Sequence, residues 1–579
     1  MSGLFAALWL LGVYAAAPAL RTNDRGRYDV ADRLRDALIV GIAIPFVLGL
    51  LHLLYPVACW AALALCIAVA RLRDPAGRSR SRAAAPHLPY TLIAALLLVS
   101  WPQLMRPLLD GDSLSYHLPN AAVWAQTHSL WNTATRYWWY PPGSELFASA
   151  LYTVGGPFAV PWSGFCALAL LGFRIAAWAR ETSGVVPASD ALAAATVSAY
   201  PLAIQGGTLQ NDVWLAAFFL EALWSLRTSP VAPGAQRALA ITALVKPQGW
   251  IFAAIALLVS RARASLWLAA FTALGVWVAH DAILWQSAGA SPAPGLVAGA
   301  LYGSTILAHG AAALVLLVFV ALRFSPFALA ALGAALLGPL LARRDRALGW
   351  AALASVLLFL VLPFGYATNV AQLANGNSLR FAAPAIAVGA IILAGFIRRI
   401  PFVALPLLWI STIYGCAYVL AIFWNDNSTH VALAIAAVAV VVAAVANLRR
   451  LTWPNALAFG LGVLLSTHLA ARHAIDYYND ALSVNGVSPG VYRWIAQSQP
   501  AAVAGWGLRL GVVNVLAPRT RTFDVSDAQP CGEARSDGAL LVAVAQSDLP
   551  SQTNARRLSA ARACGQILHQ DAIGVVTRP

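Results

Sequence analysis

The sequence predicts an all-α polytopic membrane protein with a small α/β domain at its C-terminal end. Three observations carry that prediction. Of 579 residues, 60% are hydrophobic and only 11% charged, at a mean hydropathy of +0.70, whereas soluble chains run near 45–50% apolar and about 25% charged. Apolar runs recur along most of the chain at lengths that cross, or nearly cross, a hydrocarbon core of about 30 Å. From residue 472 onward the composition turns mixed. A formal charge of +15 and a pI near 10 would ordinarily suggest nucleic acid as a partner, so the placement of the cations decides what that charge means.

The apolar runs lie near residues 3–20, 38–54, 56–70, 90–105, 158–179, 187–205, 213–227, 238–259, 265–285, 304–322, 327–342, 347–365, 381–397, 402–422, 431–447 and 455–471. They are candidates for roughly 14–16 spans. Arginine collects in cytoplasmic loops, and the first two candidate cytoplasmic connections, RTNDRGRYDVADRLRD and RLRDPAGRSRSR, hold five each. ARRDR, IRRIP and LRRL continue the pattern. With the N-terminus outside, all of these fall on the cytoplasmic face, and the arginine-poor connections GDSLSYHLPN, IQGGTLQND, NVAQLANGNS and FWNDNSTH fall opposite. The basic excess therefore reports orientation, not nucleic acid. Under this count Arg261 and Arg263 fall outside, and the 238–259 run contains Lys246-Pro247, where a helix should kink or break; a pair of half-helices there would shift the count of spans by two without changing the side of any later loop. Residues 1–20 read as an uncleaved first span, because no cation precedes the apolar run.

Cys59, Cys66, Cys166 and Cys416 stand singly in apolar segments and read as small buried hydrophobes. Cys531 and Cys564 lie in the polar tail, where an oxidising compartment would favour a disulfide between them. The tail joins β-like runs, AAVAGWG and ALLVAVAQ, to a helical SQTNARRLSAARACGQIL, a small α/β pattern. The expected division is 1–89, an N-terminal membrane extension; 90–471, a catalytic membrane domain with an external loop at 106–157; and 472–579, an extracytoplasmic soluble domain.

That external loop is the longest interspan segment, and it concentrates polar chemistry. Asp110 and Asp112 stand just beyond a span, where carboxylates must be hydrated or paired. Pro119 begins a short helix expected to lie in the membrane interface. Tyr137, Trp138, Trp139 and Tyr140 read either as an interfacial belt or as a sugar-stacking wall. Pro141-Pro142-Gly143 then delivers Glu145 to the next apolar stretch. Farther along, Asn211-Asp212 opens a span as helix cap or as second carboxylate. Lys246, the sole lysine in the chain, lies inside an apolar run, and Arg380 precedes FAAP. The intramembrane ionisable set reads as thin: Lys246, Glu221 and Asp281.

DSLSYHLPNAAVWAQ followed by YPPGSELF, then QNDVW, ALVKPQG and LRFAAP in that order, resembles the polytopic GT-C glycosyltransferases. This superfamily includes protein O-mannosyltransferases and lipid A aminoarabinose transferases, and the resemblance is nearest to the bacterial RgtA/B/C/D-like branch. It spans approximately residues 90–400. Two features depart from the pattern: an Asp-Gly-Asp followed by serine, and three spans ahead of residue 90. The resemblance implies a polyprenyl-phosphate-sugar donor, an acceptor hydroxyl on a glycan, lipid or protein, and inverting transfer on the outer face of a bacterial inner membrane. An envelope polysaccharide polymerase or ligase and a lipid-linked sugar transporter or flippase are the alternatives.

Such a reaction needs one carboxylate to take the hydroxyl proton and cations to stabilise a phosphate leaving group. Asp112 is the first choice as base and Asp110 the second. Lys246 and Arg380 are the expected phosphate ligands, with Asp212, Asn211, Tyr116, His117 and Glu145 as further substrate contacts. No tightly bound cofactor or metal is expected, with a divalent cation left open.

Overall fold

The computed structural model describes residues 2–21, 29–73, 89–135, 137–228, 233–288, 305–342, 345–361, 377–423, 460–471 (except 462 and 465), 489–507, 509–525, 529–545 and 551–579. The apolar run at 431–447, residues 22–28 of the first five-arginine connection and 74–82 of the second, and the polar connections at 366–376 and 424–430 lie outside these residues. Among the described residues, six helices are long and apolar enough to cross a membrane: Gly3–Leu20, Pro56–Arg73, Pro157–Ser183, Ala264–Ser287, Ser378–Ile397 and Pro401–Leu420. Five shorter apolar helices accompany them. The protein is a multi-pass helical membrane protein.

The bundle is built around α1 (Ser2–Ala16), α2 (Val30–Leu50), α3 (Pro56–Arg73) and α4 (Tyr90–Leu104). Within the polar loop lie α5 (Leu118–Thr127) and α6 (Gly143–Gly155), and after it come α7 (Trp162–Ser183), α8 (Val186–Ser198) and the short α9 (Tyr200–Ala203). Then follow α10 (Asp212–Thr228), α11 (Pro233–Val245), α12 (Gly249–Val259) and α13 (Ala264–Ala288). Helices α7, α8 and α10 are buried on nearly every side. That explains their weak amphipathic patterning, since a helix surrounded by protein needs no polar face.

The chain does break at Lys246-Pro247. Gly249 donates its N–H to the Lys246 carbonyl at 2.8 Å, and a Cβ on Gly249 would stand 2.1 Å from the Thr242 carbonyl oxygen. Only glycine lets α12 fold back this tightly on α11. The reversal corrects the placement of Arg261. This residue lines a cavity of about 220 Å³ with Arg227 and Asp345, and Arg227 closes the end of α10 that lies about 25 Å from Asp212 at 1.5 Å per residue. Arg261 therefore lies at the end of the bundle opposite Asp212.

The buried ionisable set is also larger than hydropathy suggests. Arg174, inside α7 and fully buried, forks onto Glu221 at 2.7 and 3.1 Å. It also reaches Asp32 at 2.7 Å and Asp29 at 3.3 Å, while Arg35 binds Asp32 and Asp36. Asp29 and Asp32 form a reciprocal capping box at the start of α2. Four acids and two arginines thus lock α2, α7 and α10 together. One arginine in a long apolar run hardly changes its mean hydropathy, so the run alone does not reveal this network.

The tail forms a five-stranded sheet in the order β2-β1-β3-β5-β4. β1 (Ala502–Trp506), β2 (Arg521–Asp524) and β3 (Leu540–Val544) are mutually parallel, and β5 (Gly574–Arg578) runs antiparallel to β3 and to β4 (Gln566–Gln570). The helix expected through GQIL ends earlier, at Ala563, and Gln566–Gln570 is strand instead. Cys531 and Cys564 are joined by a disulfide with Cα atoms 5.5 Å apart.

This domain docks onto the polar loop. Leu114, Leu118, Ala121 and Tyr152 share one apolar cluster with Tyr492, Ile495, Leu510 and Val513. Gln126 donates to the Pro518 and Thr520 carbonyls, and Asp524 N–H donates to the Ala134 carbonyl at 2.9 Å. As a result α5 is buried among α6 and the tail domain for most of its length, rather than lying in a membrane interface. A lone segment's periodicity cannot announce a protein neighbour from the far end of the chain.

Candidate functional site

The acidic loop is shaped by its own hydrogen bonds. Asp110 Oδ1 accepts from the Ser113 N–H at 2.9 Å and from Gln210 Nε2 at 3.4 Å. The Ser113 hydroxyl oxygen in turn accepts from the Leu209 N–H at 2.8 Å. These bonds tie residues 110–113 to the segment before α10 and start a π-helical turn, Ser113–His117. Such turns are rare and frequently mark functional sites. Burial pushes the Asp110 carboxyl above its ordinary range. Its Oδ2 is enclosed and has no hydrogen-bond partner among the described residues.

Asp112 is paired differently. Its carboxylate binds the Arg380 guanidinium, and Arg380 Nε lies 3.6 Å from Asp212 Oδ2. Asp212 Oδ1 binds Lys246 Nζ. The order Asp112, Arg380, Asp212, Lys246 alternates in sign and sums to zero. Phe381 floors the quartet, with Lys246 Nζ 5.0 Å and Arg380 Cζ 4.9 Å from its ring centroid. Burial by itself would raise the Asp112 carboxyl, but Arg380, His117 and Lys246 outweigh it and hold Asp112 below the ordinary carboxylate value.

Four separate stretches of chain build this quartet. Asp112 comes from the polar loop, Asp212 from the first turn of α10, and Lys246 from the break after α11. Arg380 comes from a 3-10 turn at Asn377–Ala382, just before α14 (Ala383–Ile397). Neither Asn211 nor Asp212 caps α10 with its side chain. Gln205 Oε1 accepts from the Val213 N–H at 2.9 Å instead, while Asn211 Nδ2 donates to the Val245 carbonyl at 3.2 Å. Asp212 is thereby free to hold both cations, and Asn211 fixes the end of α11 from which Lys246 projects.

His117 and Glu145 form a second unit beside the first. Nδ1 of His117 lies 2.6 Å from Glu145 Oε1, the Ser144 hydroxyl donates to Oε2 at 2.8 Å, and both members of the pair are about 1% exposed. Glu145 is thus fully engaged in orienting His117 and does not reach the quartet. Tyr116 packs against His117, Tyr137 and Tyr140 at centroid distances of 4.1, 4.8 and 5.8 Å. Burial, with the Asp112 charge beside it, pushes the Tyr116 hydroxyl well above its ordinary value. The aromatic block is therefore packed inside the site wall, and Trp277 and His280 of α13 brace that wall through the Trp139 and Leu130 carbonyls.

A cavity of about 380 Å³ opens against this assembly, lined by Asp110, Asp112, Arg380, Gln210, Tyr200 and Ile422 among others. Gln210, Tyr200 and Gln205 escape sequence reasoning, since single polar residues near a span end carry no pattern; only the turn-like QGGTLQ hints at a shaped connection. Among the described residues no group of three or more His, Cys, Asp or Glu side chains could hold a metal. The site's unpartnered carboxylate oxygen is Asp110 Oδ2. Chemically, the arrangement offers two carboxylates and the Arg380 cation at a cavity wall, a further cation, Lys246, joined to them through Asp212, and an apolar floor.

No protein-family model matches the chain, and no curated protein does. Among solved structures the chain is similar to ArnT from Cupriavidus metallidurans bound to undecaprenyl phosphate, at 16% identity and a TM-score of 0.46. That match covers 84% of this chain and 97% of that one. The apo state of the same ArnT is similar at 17% identity and a TM-score of 0.47, with the same coverage.

Proposed function

We propose that this chain is an integral-membrane glycosyltransferase that moves a sugar from a polyprenyl-phosphate donor to an acceptor hydroxyl, with inversion and with Asp112 as general base. The observation that supports this reading is the convergence of Asp112, Arg380, Asp212 and Lys246 beside one cavity. Buried ion pairs are costly to assemble and add little net stability, so a quartet at a cavity wall fits a role in binding better than a role in holding the fold.

In the proposed reaction the donor phosphate competes with Asp112 and Asp212 for Arg380 and Lys246. Losing Arg380 releases the Asp112 carboxylate, which becomes more basic and accepts the acceptor hydroxyl proton. The hydroxyl oxygen forms the new bond to the anomeric carbon as the carbon–oxygen bond to phosphate breaks, and that electron pair stays on the phosphate. A phosphate is already a stable leaving group, so one carboxylate suffices, in contrast to glycosidases with two. Asp110 serves as a positioning residue through the Ser113 turn. The reading requires no tightly bound cofactor, and turnover after treatment with a chelator tests that. It places the site and the tail domain on the extracytoplasmic side of a bacterial inner membrane.

The deciding experiment follows release of polyprenyl phosphate from a polyprenyl-phosphate-sugar by the purified chain in detergent. Turnover by the wild type and its loss in Asp112→Asn support the proposal. Unchanged turnover in both Asp112→Asn and Asp110→Asn overturns it.

A further inference from the structure

The tail domain places a cation beside Gly111, a residue that lines the same cavity. Arg509, just before α15 (Leu510–Leu516), brings its Nη1 to 4.0 Å from where a Cβ on Gly111 would stand. Gly111 is the exposed residue between Asp110 and Asp112, and it lines the cavity. The backbone of Arg509 is fixed on both sides. Its N–H donates to the Tyr492 hydroxyl oxygen at 3.0 Å, and that hydroxyl donates to the Arg509 carbonyl at 3.4 Å. Two residues on, Gly511 lies so close to the π turn that a Cβ there would stand 2.6 Å from the Leu114 carbonyl oxygen. The guanidinium, by contrast, is half-buried and has no ion pair or hydrogen bond among the described residues.

We infer that Arg509 is a specificity-determining residue of the acceptor subsite, selecting an acceptor that carries an anionic group, phosphate or carboxylate, near its reacting hydroxyl. The inference rests on the transferase reading for the identity of the subsite. Three features carry it. The quartet already balances to zero and its two cations are taken by the donor phosphate, so Arg509, beside Gly111, is a further cation left for a second anionic group, with Asp110 as the one carboxylate nearby outside the quartet. Arg509 belongs to the domain covering the polar side of the loop, whereas the donor's hydrocarbon chain must remain in the membrane. Finally, the backbone is immobilised while the side chain stays unpaired, which preorganises a fork suited to an oxyanion.

The test uses the full chain in nonionic detergent with two probes, a short-chain alkyl glucoside 6-phosphate and the same alkyl glucoside without phosphate. Dissociation constants are measured with and without saturating undecaprenyl phosphate. Wild type is expected to bind the phosphorylated probe about tenfold tighter, the scale of one charge-assisted hydrogen bond. Arg509→Ala is expected to erase that preference and Arg509→Lys to restore part of it, both with unchanged melting temperature and unchanged affinity for undecaprenyl phosphate. No preference in the wild type, or a preference kept in Arg509→Ala, overturns the inference. So does weaker undecaprenyl phosphate binding in Arg509→Ala, which would move Arg509 to the donor. Failure of wild type to bind undecaprenyl phosphate at all would instead sink the transferase reading, because that arm does not depend on Arg509.

Discussion

Arg380 and Asp112 are 268 residues apart in the chain, yet their side chains form an ion pair at the wall of the site cavity. The pair holds the candidate base in its ionised form, and under the proposed function it also holds the cation that would receive the donor phosphate. Replacing Asp112 with asparagine keeps the size of the side chain but removes its ability to take a proton. Single-turnover transfer is expected to fall by about 10²–10⁴, the usual contribution of a positioned general base, with donor binding retained. Loss of donor binding alone, with chemistry at the wild-type rate, would contradict the assigned role.

The two aspartates of the loop are expected to separate in Asp110→Asn. Asparagine still offers an oxygen to the Ser113 N–H, so the turn and the activity should persist. The pH dependence has a definite sign. A carboxyl whose folded pKa is raised binds more protons folded than unfolded, so its contribution to stability is present below the unfolded pKa and is lost as pH rises through the folded value. Asp110→Asn should therefore flatten the decline in thermal stability above about pH 4. An unchanged stability profile would show that Asp110 carries no such burden.

The Asp112 carboxyl has the opposite shift, and the sign reverses with it. A depressed folded pKa contributes stability present above the unfolded value and lost as pH falls through the folded one. The acid limb of kcat/KM, which reports the free enzyme's base, is expected below about pH 4 in the wild type. In Arg380→Gln burial is left less opposed, so the limb should move to higher pH. A limb that stays in place would detach Arg380 from the base.

Lys246 and Asp212 are each less than one-tenth exposed. Lys246→Met leaves a buried carboxylate with only Arg380 nearby, and breaking a buried pair typically costs about 3–5 kcal/mol. The double variant Lys246→Met, Asp212→Asn should be more stable than the sum of the single changes allows. Additive losses in a double-mutant cycle would mean that the two residues act independently. Lys246→Arg is expected to bind donor phosphate weakly, because a planar fork cannot replace a compact ammonium between Asp212 and Phe381.

At the far end of the bundle, Arg174→Met should destabilise the chain without touching donor affinity. It leaves the fully buried Glu221 with only Arg35, whose Nη1 lies 3.7 Å from Glu221 Oε2, and thermal unfolding in detergent reads the loss. A drop in donor affinity at unchanged stability would instead couple this network to the site.

The membrane class, the tail domain, the break at Lys246-Pro247 and the residue types suited to the site were all legible in the sequence. Hydropathy, proline stereochemistry and side-chain charge are local properties that a run of residues states by itself. Asp112, Asp212, Lys246 and Arg380 could be named one at a time for the same reason. Their order of pairing could not. It depends on α11 folding back at Gly249, on Gln205 taking over the cap of α10, and on Asn211 anchoring the end of α11, all of which are contacts between segments with no shared period. The burial of Arg174 and the seating of Arg509 above Gly111 belong to the same class. Each depends on which neighbour excludes water from a charge, and only tertiary packing decides that.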